Sequence, residues 1–466
     1  MISVILILAG TGIIDRVVAR ANFASAAASF DGGYAVAPTD AESSAWYCTG
    51  GTGSAGALPV TIVLTNSTIR DVKGSLTADS AGGAANSVKS VPVSVPAEGQ
   101  LAIIPSQLDP SATWVAATVI LDAGGVSASE LVGNAGSNWS SAPCSSETSA
   151  SWYFPTGTTS GTANTQISLY NPGLTTAVVD TTFATPNGRL QPPSDEGVEV
   201  PPGGVVVENL ADHLSNMAGV ASTVTARSGE VVAGELQETS TGVALRLGSP
   251  ATSTSWAFPE TTDSVGSTVT FVVYDPGTQV AHVSLSLGLT QGSTSPLTTT
   301  VQPGTTADIV ATGQARIPQG ATYASILESS GGVGVVVDRV VQAPSGSAGE
   351  QSSDVAGVPG GAKSWIVPLV PQPGTGVSSM AVENLGTTAT PVTISLLVSG
   401  RIEATDSTMG KQVAPGGSLV LSPSGILPLG VSPLMVRAEN PIVVTIDALP
   451  AGAPGTQVLA AFPVSP

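Results

Sequence analysis

Four carboxylates, Glu130, Glu235, Asp338 and Asp447, each stand inside a β-branched run at near-equal intervals along the chain. Paired carboxylates can hydrolyse glycosides when about 5–10 Å apart. Here each lies in a separate segment, so the expected role is to accept hydrogen bonds from a neighbouring turn or from the next segment. A catalytic triad needs a histidine base. The chain has only His213 and His282, in non-equivalent places and outside any serine-elbow context. A structural zinc usually takes four clustered ligands, which two histidines and two distant cysteines do not supply. Calcium needs only acidic loops and carbonyls. The densest acidic stretch, Asp195, Glu196 and Glu199, lacks the D-x-D-x-D-G pattern. No catalytic set, metal site or cofactor is expected. Trp139 sits in a polar stretch, GSNWSS. If exposed it can stack on a sugar ring, which makes it the candidate glycan contact; a packed loop anchor is the plainer alternative.

The composition agrees with a protein of strands and turns. Only 10% of the 466 residues are charged, against roughly 25% on average. Gly, Pro, Ser, Thr, Ala and Val dominate, as in short β-branched strands joined by tight turns. A hydrophobic content of 42% is too high for a disordered chain. The net charge of −19 repels phosphate backbones and anionic headgroups, so no nucleic-acid partner is expected.

The elements that place these residues repeat. A tryptophan opens each of four copies: Trp46, Trp152, Trp256 and Trp365, at spacings of 106, 104 and 109. Each is followed, 19 or 20 residues on, by a turn-forming Asn66, Asn171, Asp275 or Asn384. A second turn follows at Pro96, Pro202, Pro303 and Pro415, and the acids come 82 to 84 residues after the tryptophans. Trp114 and Tyr323 occupy similar slots in copies one and three and read as core. Between landmarks the apolar period is two, as in VTISLLV (392–398), which is the period of a strand. The expectation is an all-β chain of four tandem antiparallel β-sandwich domains, Ig/fibronectin-III-like, of about seven strands each. The boundaries are 31–148, 149–252, 253–361 and 362–466. The C-terminal Phe462-Pro463 echoes Phe154-Pro155 and Phe258-Pro259. It reads as a fifth copy of the opening strand, which closes one copy as much as it opens the next, implying close packing of copies strung in a row.

Residues 2–14 are uncharged and mostly apolar, and Asp15, Arg16 and Arg20 follow. Thirteen helical residues span roughly 20 Å, short of a hydrocarbon core of about 30 Å. Residues 1–30 therefore read as a hydrophobic export segment, either a cleaved signal peptide or a membrane anchor. Cys48 and Cys144 lie 96 residues apart, near the two ends of the first copy. Export and the repeat favour a disulfide over two free thiols. Closing such a loop contributes roughly 4–5 kcal/mol in the chain-entropy model.

The WYC or WYFP strand, the N-P-G turn and the Pro-Gly turn resemble the DUF5719 family of exported actinobacterial repeat proteins, over residues 31–466. The resemblance implies an envelope location, linked to glycan-handling genes, and carries no catalytic residue across. Related repeats have an acid-Arg pair in the last strand, which only Asp338-Arg339 keeps. The expectation is a secreted or membrane-anchored, non-enzymatic spacer, scaffold or interaction partner in the cell envelope. Its partners would be envelope proteins or cell-wall glycan, with the membrane met only through the N-terminal segment. A glycan-binding module is the alternative.

Overall fold

The computed structural model describes residues 30–466, apart from 55, 57, 82–88, 134–138, 241, 264, 290–293, 343–352, 369–375, 399–400, 405–410, 422–431 and 450–456. The export segment at 1–29 lies outside the described residues. The fold is all-β, with no α-helix among the described residues, and its sheets are antiparallel. Each of the first three copies contributes two sheets. One holds the Trp strand (Ser44–Thr52, Ser151–Phe154, Ser255–Thr262). The other holds the Asn strand (Val60–Asn66, Asn164–Asn171, Thr268–Asp275) and the acid strand (Val126–Gly133, Val232–Thr239, Val336–Gln342). In the fourth copy one 16-residue strand, Leu434–Leu449, pairs with both the Trp strand Ala362–Val367 and the Asn strand Gly376–Asn384. It thereby fuses that copy into a nine-stranded sheet.

The recurring residues make recurring bonds. In the first three copies the opening indole crosses to the other sheet and donates to the backbone at the head of the acid strand, and in the fourth Trp365 donates within the fused sheet, to the strand that carries Asp447. The acceptors are Val126, Val231, Val335 and Ile442, at 2.9, 2.8, 2.9 and 2.8 Å. A buried indole N–H usually finds a partner, and here each one bonds the acid strand, so the tryptophan fixes how the Trp and acid strands meet. The turn residues work as local brackets. Asn66, Asn171, Asp275 and Asn384 accept from the amide two residues on, at 2.8–2.9 Å. The three asparagines also donate to two carbonyls, one of them across the sandwich at Val95, Val200 or Val413.

Three expectations change. First, among the described residues the copies hold eight or nine strands rather than about seven. Each acid strand is followed by an inner strand: Trp139–Pro143, Gly242–Leu247, Ser353–Ala356 or Gln457–Ala460. Second, the Pro-Gly turn of copy one is offset by a residue. The left-handed position is Gly203, Gly304 and Gly416 in copies two to four, but Glu98 in copy one, at φ 49°. Pro96 thus matches Pro201, and Ala97 takes the place of Pro202. Third, Phe462-Pro463 is not a fifth opening strand. Phe462 pairs with Ile366 of the fourth Trp strand. Ser145, Ser249 and Val358 pair in the same way with Tyr47, Tyr153 and Ala257. The echo came from composition, whereas the pairing makes Phe462 the end of copy four.

The copies also do not run in a row. The inner strands neighbour one another in a closed circle, first to second to third to fourth and back to first. The core of the first copy continues into Ile366, Leu397, Met435 and Phe462 of the fourth. A short seam completes the closure. Val36 pairs in parallel with Val464, its amide donating to Pro463 at 2.8 Å and its carbonyl accepting from Ser465 at 2.9 Å. Phe462 is fully buried and meets Trp46 and Tyr34 edge-to-face, at ring-centroid separations of 5.8 and 6.0 Å. Closing a set of sheets on itself removes the exposed edges and faces that a row would leave.

Two measurements follow. Phe462→Ala should cost about 3–5 kcal/mol in denaturant unfolding and strip hydrogen-exchange protection from Val36. Retained protection would show that the seam does not depend on Phe462. Glu98→Gly relieves a left-handed non-glycine residue and removes a buried carboxylate with neither oxygen bonded among the described residues. It should raise stability by about 1 kcal/mol.

Candidate functional site

Three of the repeated acids, Glu130, Glu235 and Asp338, are buried and Asp447 is half-buried, and all four lie at or near the seams between copies. Glu130 accepts from Thr49 Oγ1 at 2.8 Å and from the Gly50 amide at 2.7 Å, at the bulge that interrupts the first Trp strand's register. Gly50 is required there: its φ is +88°, and a Cβ would fall 1.8 Å from the Val115 carbonyl oxygen. Gly234, the residue before Glu235, lies against Thr49 of the preceding copy, where a Cβ would meet the hydroxyl at 2.1 Å. Asp338 accepts from Thr156 Oγ1 of the preceding copy at 3.0 Å. Asp447 feels the charge of Arg339, again in the preceding copy. From copy two onward, the acid strand therefore meets the preceding copy: Thr49 within its Trp strand, Thr156 just past its Trp strand, and Arg339 within its acid strand.

The densest arrangement is at the seam of copies two and three. Arg246 is 5% exposed and paired with Glu235, Asp338 and Asp354. The Asp338 contact is 3.5 Å, and the other two are close. The guanidinium also donates to the Thr156 carbonyl at 3.1 Å. Thr156 Oγ1 lies 3.0 Å from Asp338 Oδ2 and 2.7 Å from Asp354 Oδ2. A hydroxyl has one hydrogen and can donate to only one of them. Burial raises the Asp338 and Glu235 carboxyls, while Arg246 pulls both back down. Sequence reasoning missed Arg246, Asp354 and Thr156. Arg246 left a signal, as one of only 14 basic residues, inside the apolar run VALRLG. A charge in a strand buried at all six positions, Gly242–Leu247, needs opposite charges beside it.

The Cys48–Cys144 disulfide is formed, and both residues are fully buried. Glu130 sits beside it. These three residues are the only set of three or more potential ligands close enough for a metal among the described residues. Bridged sulfurs are not thiolates, so they do not act as ligands. Burial pushes the Glu130 carboxyl up to about 7, against the lowering effect of the Gly50 and Thr49 bonds. The Asp447 carboxyl is pushed up to about 7 as well, chiefly by burial.

The other singled-out residues are placed as follows. Trp139 is 1% exposed, which corrects the exposed sugar-stacking ring. It belongs to a core cluster with Ala257, Ile326 and Trp365 of the third and fourth copies. Trp114 is buried and donates to the Thr49 carbonyl at 2.8 Å; Tyr323 is buried too. The acidic stretch does not converge. Asp195 turns inward to His213 Nε2 at 3.1 Å, Glu196 reaches Arg227 at 3.7 Å, and Glu199 is exposed. His282 lies on the surface beside Thr300, 3.2 Å away.

The family model described as "Family of unknown function (DUF5719)" matches residues 135–424, more than half of the chain. Among solved structures, the crystal structure of Thermotoga maritima 1070 is similar at 16% identity. The match covers 23% of this chain and 93% of that one, with a TM-score of 0.20. No curated protein matches.

A carboxyl raised by folding stabilises the fold fully below its unfolded value of about 4.5 and loses that contribution as pH rises through about 7. Wild type should therefore weaken from pH 5 to pH 7 in denaturant unfolding, by roughly 1.4 kcal/mol per unit of raised pKa. Glu130→Gln should flatten that slope. An unchanged slope would remove Glu130 as a source.

Proposed function

We propose that this chain, which belongs to the DUF5719 family, is a non-enzymatic scaffold or interaction partner outside the cytoplasmic membrane, in the cell envelope. In this reading it is a ring of four Ig/fibronectin-III-like sandwiches, at 31–148, 149–252, 253–361 and 362–466, behind an export segment. The observation that carries the reading is the use made of the repeated polar residues. Glu130, Asp338 and Glu235 are committed to bonds with neighbouring turns and copies. Residues that hold a frame together at every repeat favour a rigid body over a reaction centre.

The buried disulfide supports an oxidising compartment, because such bridges form and persist outside the cytosol. The seam adds an orientation. Val36 pairs with Val464, so an anchor at 1–30 would leave the ring beside its C-terminus, and the opposite side would face outward. Four related units on a fixed frame suit repeated weak contacts, whose combined strength exceeds that of any one.

Crosslinking in intact cells, followed by identification of the adducts, tests this. The expected result is one or a few defined envelope proteins, bound to a chain whose two cysteines resist alkylation without reductant. Recovery of the chain from the cytosol with both thiols free would refute the compartment. Absence of any reproducible partner would refute the scaffold.

A further inference from the structure

At the centre of the ring the inner strands enclose a half-open cavity of about 110 Å³, lined by all four copies. A second hollow, more open to solvent, lies beside it. Neighbouring residues divide between the two. Gly32 and Tyr34 line the cavity, whereas Phe30 and Asp31 line the hollow. Ser249 lines the cavity and Pro250 the hollow. Residues 30–36 therefore form part of the partition between them.

This stretch is a strap rather than a strand. Its only bridge among the described residues is the pairing of Val36 with Val464. Nearer its start, the Gly33 carbonyl accepts from the Ser146 amide and from Ser145 Oγ, both at 2.8 Å. The rest of its hold is apolar. Phe30 meets Trp365 and Tyr34 edge-to-face, at ring-centroid separations of 6.2 and 4.8 Å.

The hollow opposes that hold. Asp31 on the strap shares it with Glu147, from the turn after the first inner strand, and with Glu230, from the turn before the second acid strand. No basic residue lines it among the described residues. The Thr148 hydroxyl donates to Glu230 at 2.5 Å, but a neutral donor does not cancel three like charges. Burial raises the Glu147 carboxyl, and the charges of Asp31 and Glu230 raise it further. Ionised carboxylates in one hollow repel, and one of the three is carried by the strap.

We propose that residues 30–36 are a releasable gate: the aromatic grip holds the strap down, the carboxylates beside it push it off, and its release joins the hollow to the central cavity. The gate is independent of the scaffold reading, since it requires neither an envelope location nor a protein partner.

Hydrogen exchange on the full chain, at low salt and neutral pH, tests the release. The amides of Ser146 and Val36 donate to Gly33 and Pro463. They should exchange together, and at least about tenfold faster than Leu169 in the second core, as for an opening short of unfolding. Asp31→Asn should slow both by about two- to fivefold, the scale of one exposed charge pair. Salt at about 1 M should erase that difference, because it shortens the screening length to about 3 Å. Exchange of the two amides only in step with Leu169, or wild-type rates in Asp31→Asn, would overturn the gate. Alkylation tests the joining. Ala460 lines the cavity, and the native cysteines are bridged, so Ala460→Cys supplies the single free thiol. Adding Phe30→Ala should speed its alkylation at least about threefold, the scale of one edge-to-face pair lost, with Leu169 still protected. An unchanged alkylation rate would show that the strap does not separate hollow from cavity.

Discussion

The structure depends on packing sheets by both faces. In an ordinary sandwich each sheet keeps one face wet, and alternate residues along a strand are polar and exposed. Here the acid strand Val126–Gly133 is buried at all eight positions, and the inner strand Gly242–Leu247 at all six. One face meets the partner sheet of the same copy, and the other meets a neighbouring copy. This accounts for a chain with only 10% charged residues, since there is less wet surface to cover. It also accounts for closure. A row of such copies would leave an apolar face open at each end, and contiguous exposed faces of that kind invite association. Bringing the fourth copy onto the first, with Ile366, Leu397 and Met435 joining the first core, covers both ends at once.

The same fact explains what was legible in the sequence. Local chemistry was: an asparagine that bonds an amide two residues on does so whatever surrounds it, and the tryptophan at each opening needs a buried partner in any sandwich. The disulfide was legible too, because both cysteines fall at the ends of one copy. What the second face does could not be read from periodicity. Ser and Thr alternating with Val look like a solvent face, yet Ser127 and Ser129 are buried beside Glu130. Trp139 stayed open to either reading because its sequence neighbours are polar, and it is buried among residues more than a hundred positions away. Phe462-Pro463 matched Phe154-Pro155 in letters but not in place, since pairing across the sheet decides the place. Glu98 hid the turn alignment by standing where the other copies have glycine.

Buried acids in such a frame contribute less to stability than to specifying how copies meet. Taking a carboxylate out of water costs several kcal/mol before any partner repays it. Glu130, Glu235, Asp338 and Asp447 nonetheless recur at 82 to 84 residues from each tryptophan. Each has a different answer to the same problem: a bulge amide and a hydroxyl for Glu130, a guanidinium for Glu235, a threonine of the preceding copy for Asp338, and the field of Arg339 for Asp447. The slot is common and the partner is private.

That difference bears on a problem every closed repeat has. Four similar copies could join in the wrong order, or with copies from another chain. A second slot, just before the turn residue of the Asn strand, shows how the order is fixed. In copy two it is Tyr170, whose hydroxyl meets Thr118 at 2.5 Å and also Asp79. In copy three it is Tyr274, which meets Thr223 at 2.8 Å. In copy four it is Glu383, buried with its carboxyl raised well above the ordinary range, in a copy whose core is joined by Ile326 of the third. In copy one it is Thr65, bonded by Gln100 at 2.7 Å, on a seam lined by Ile366 and Met435. Exchanging neighbours would bury a tyrosine hydroxyl against Ile326 or Met435 without a partner, at about 1–3 kcal/mol for each misplaced group. Specificity here is a difference between the right seam and the wrong one, and unequal polar slots supply that difference where the apolar faces alone would not.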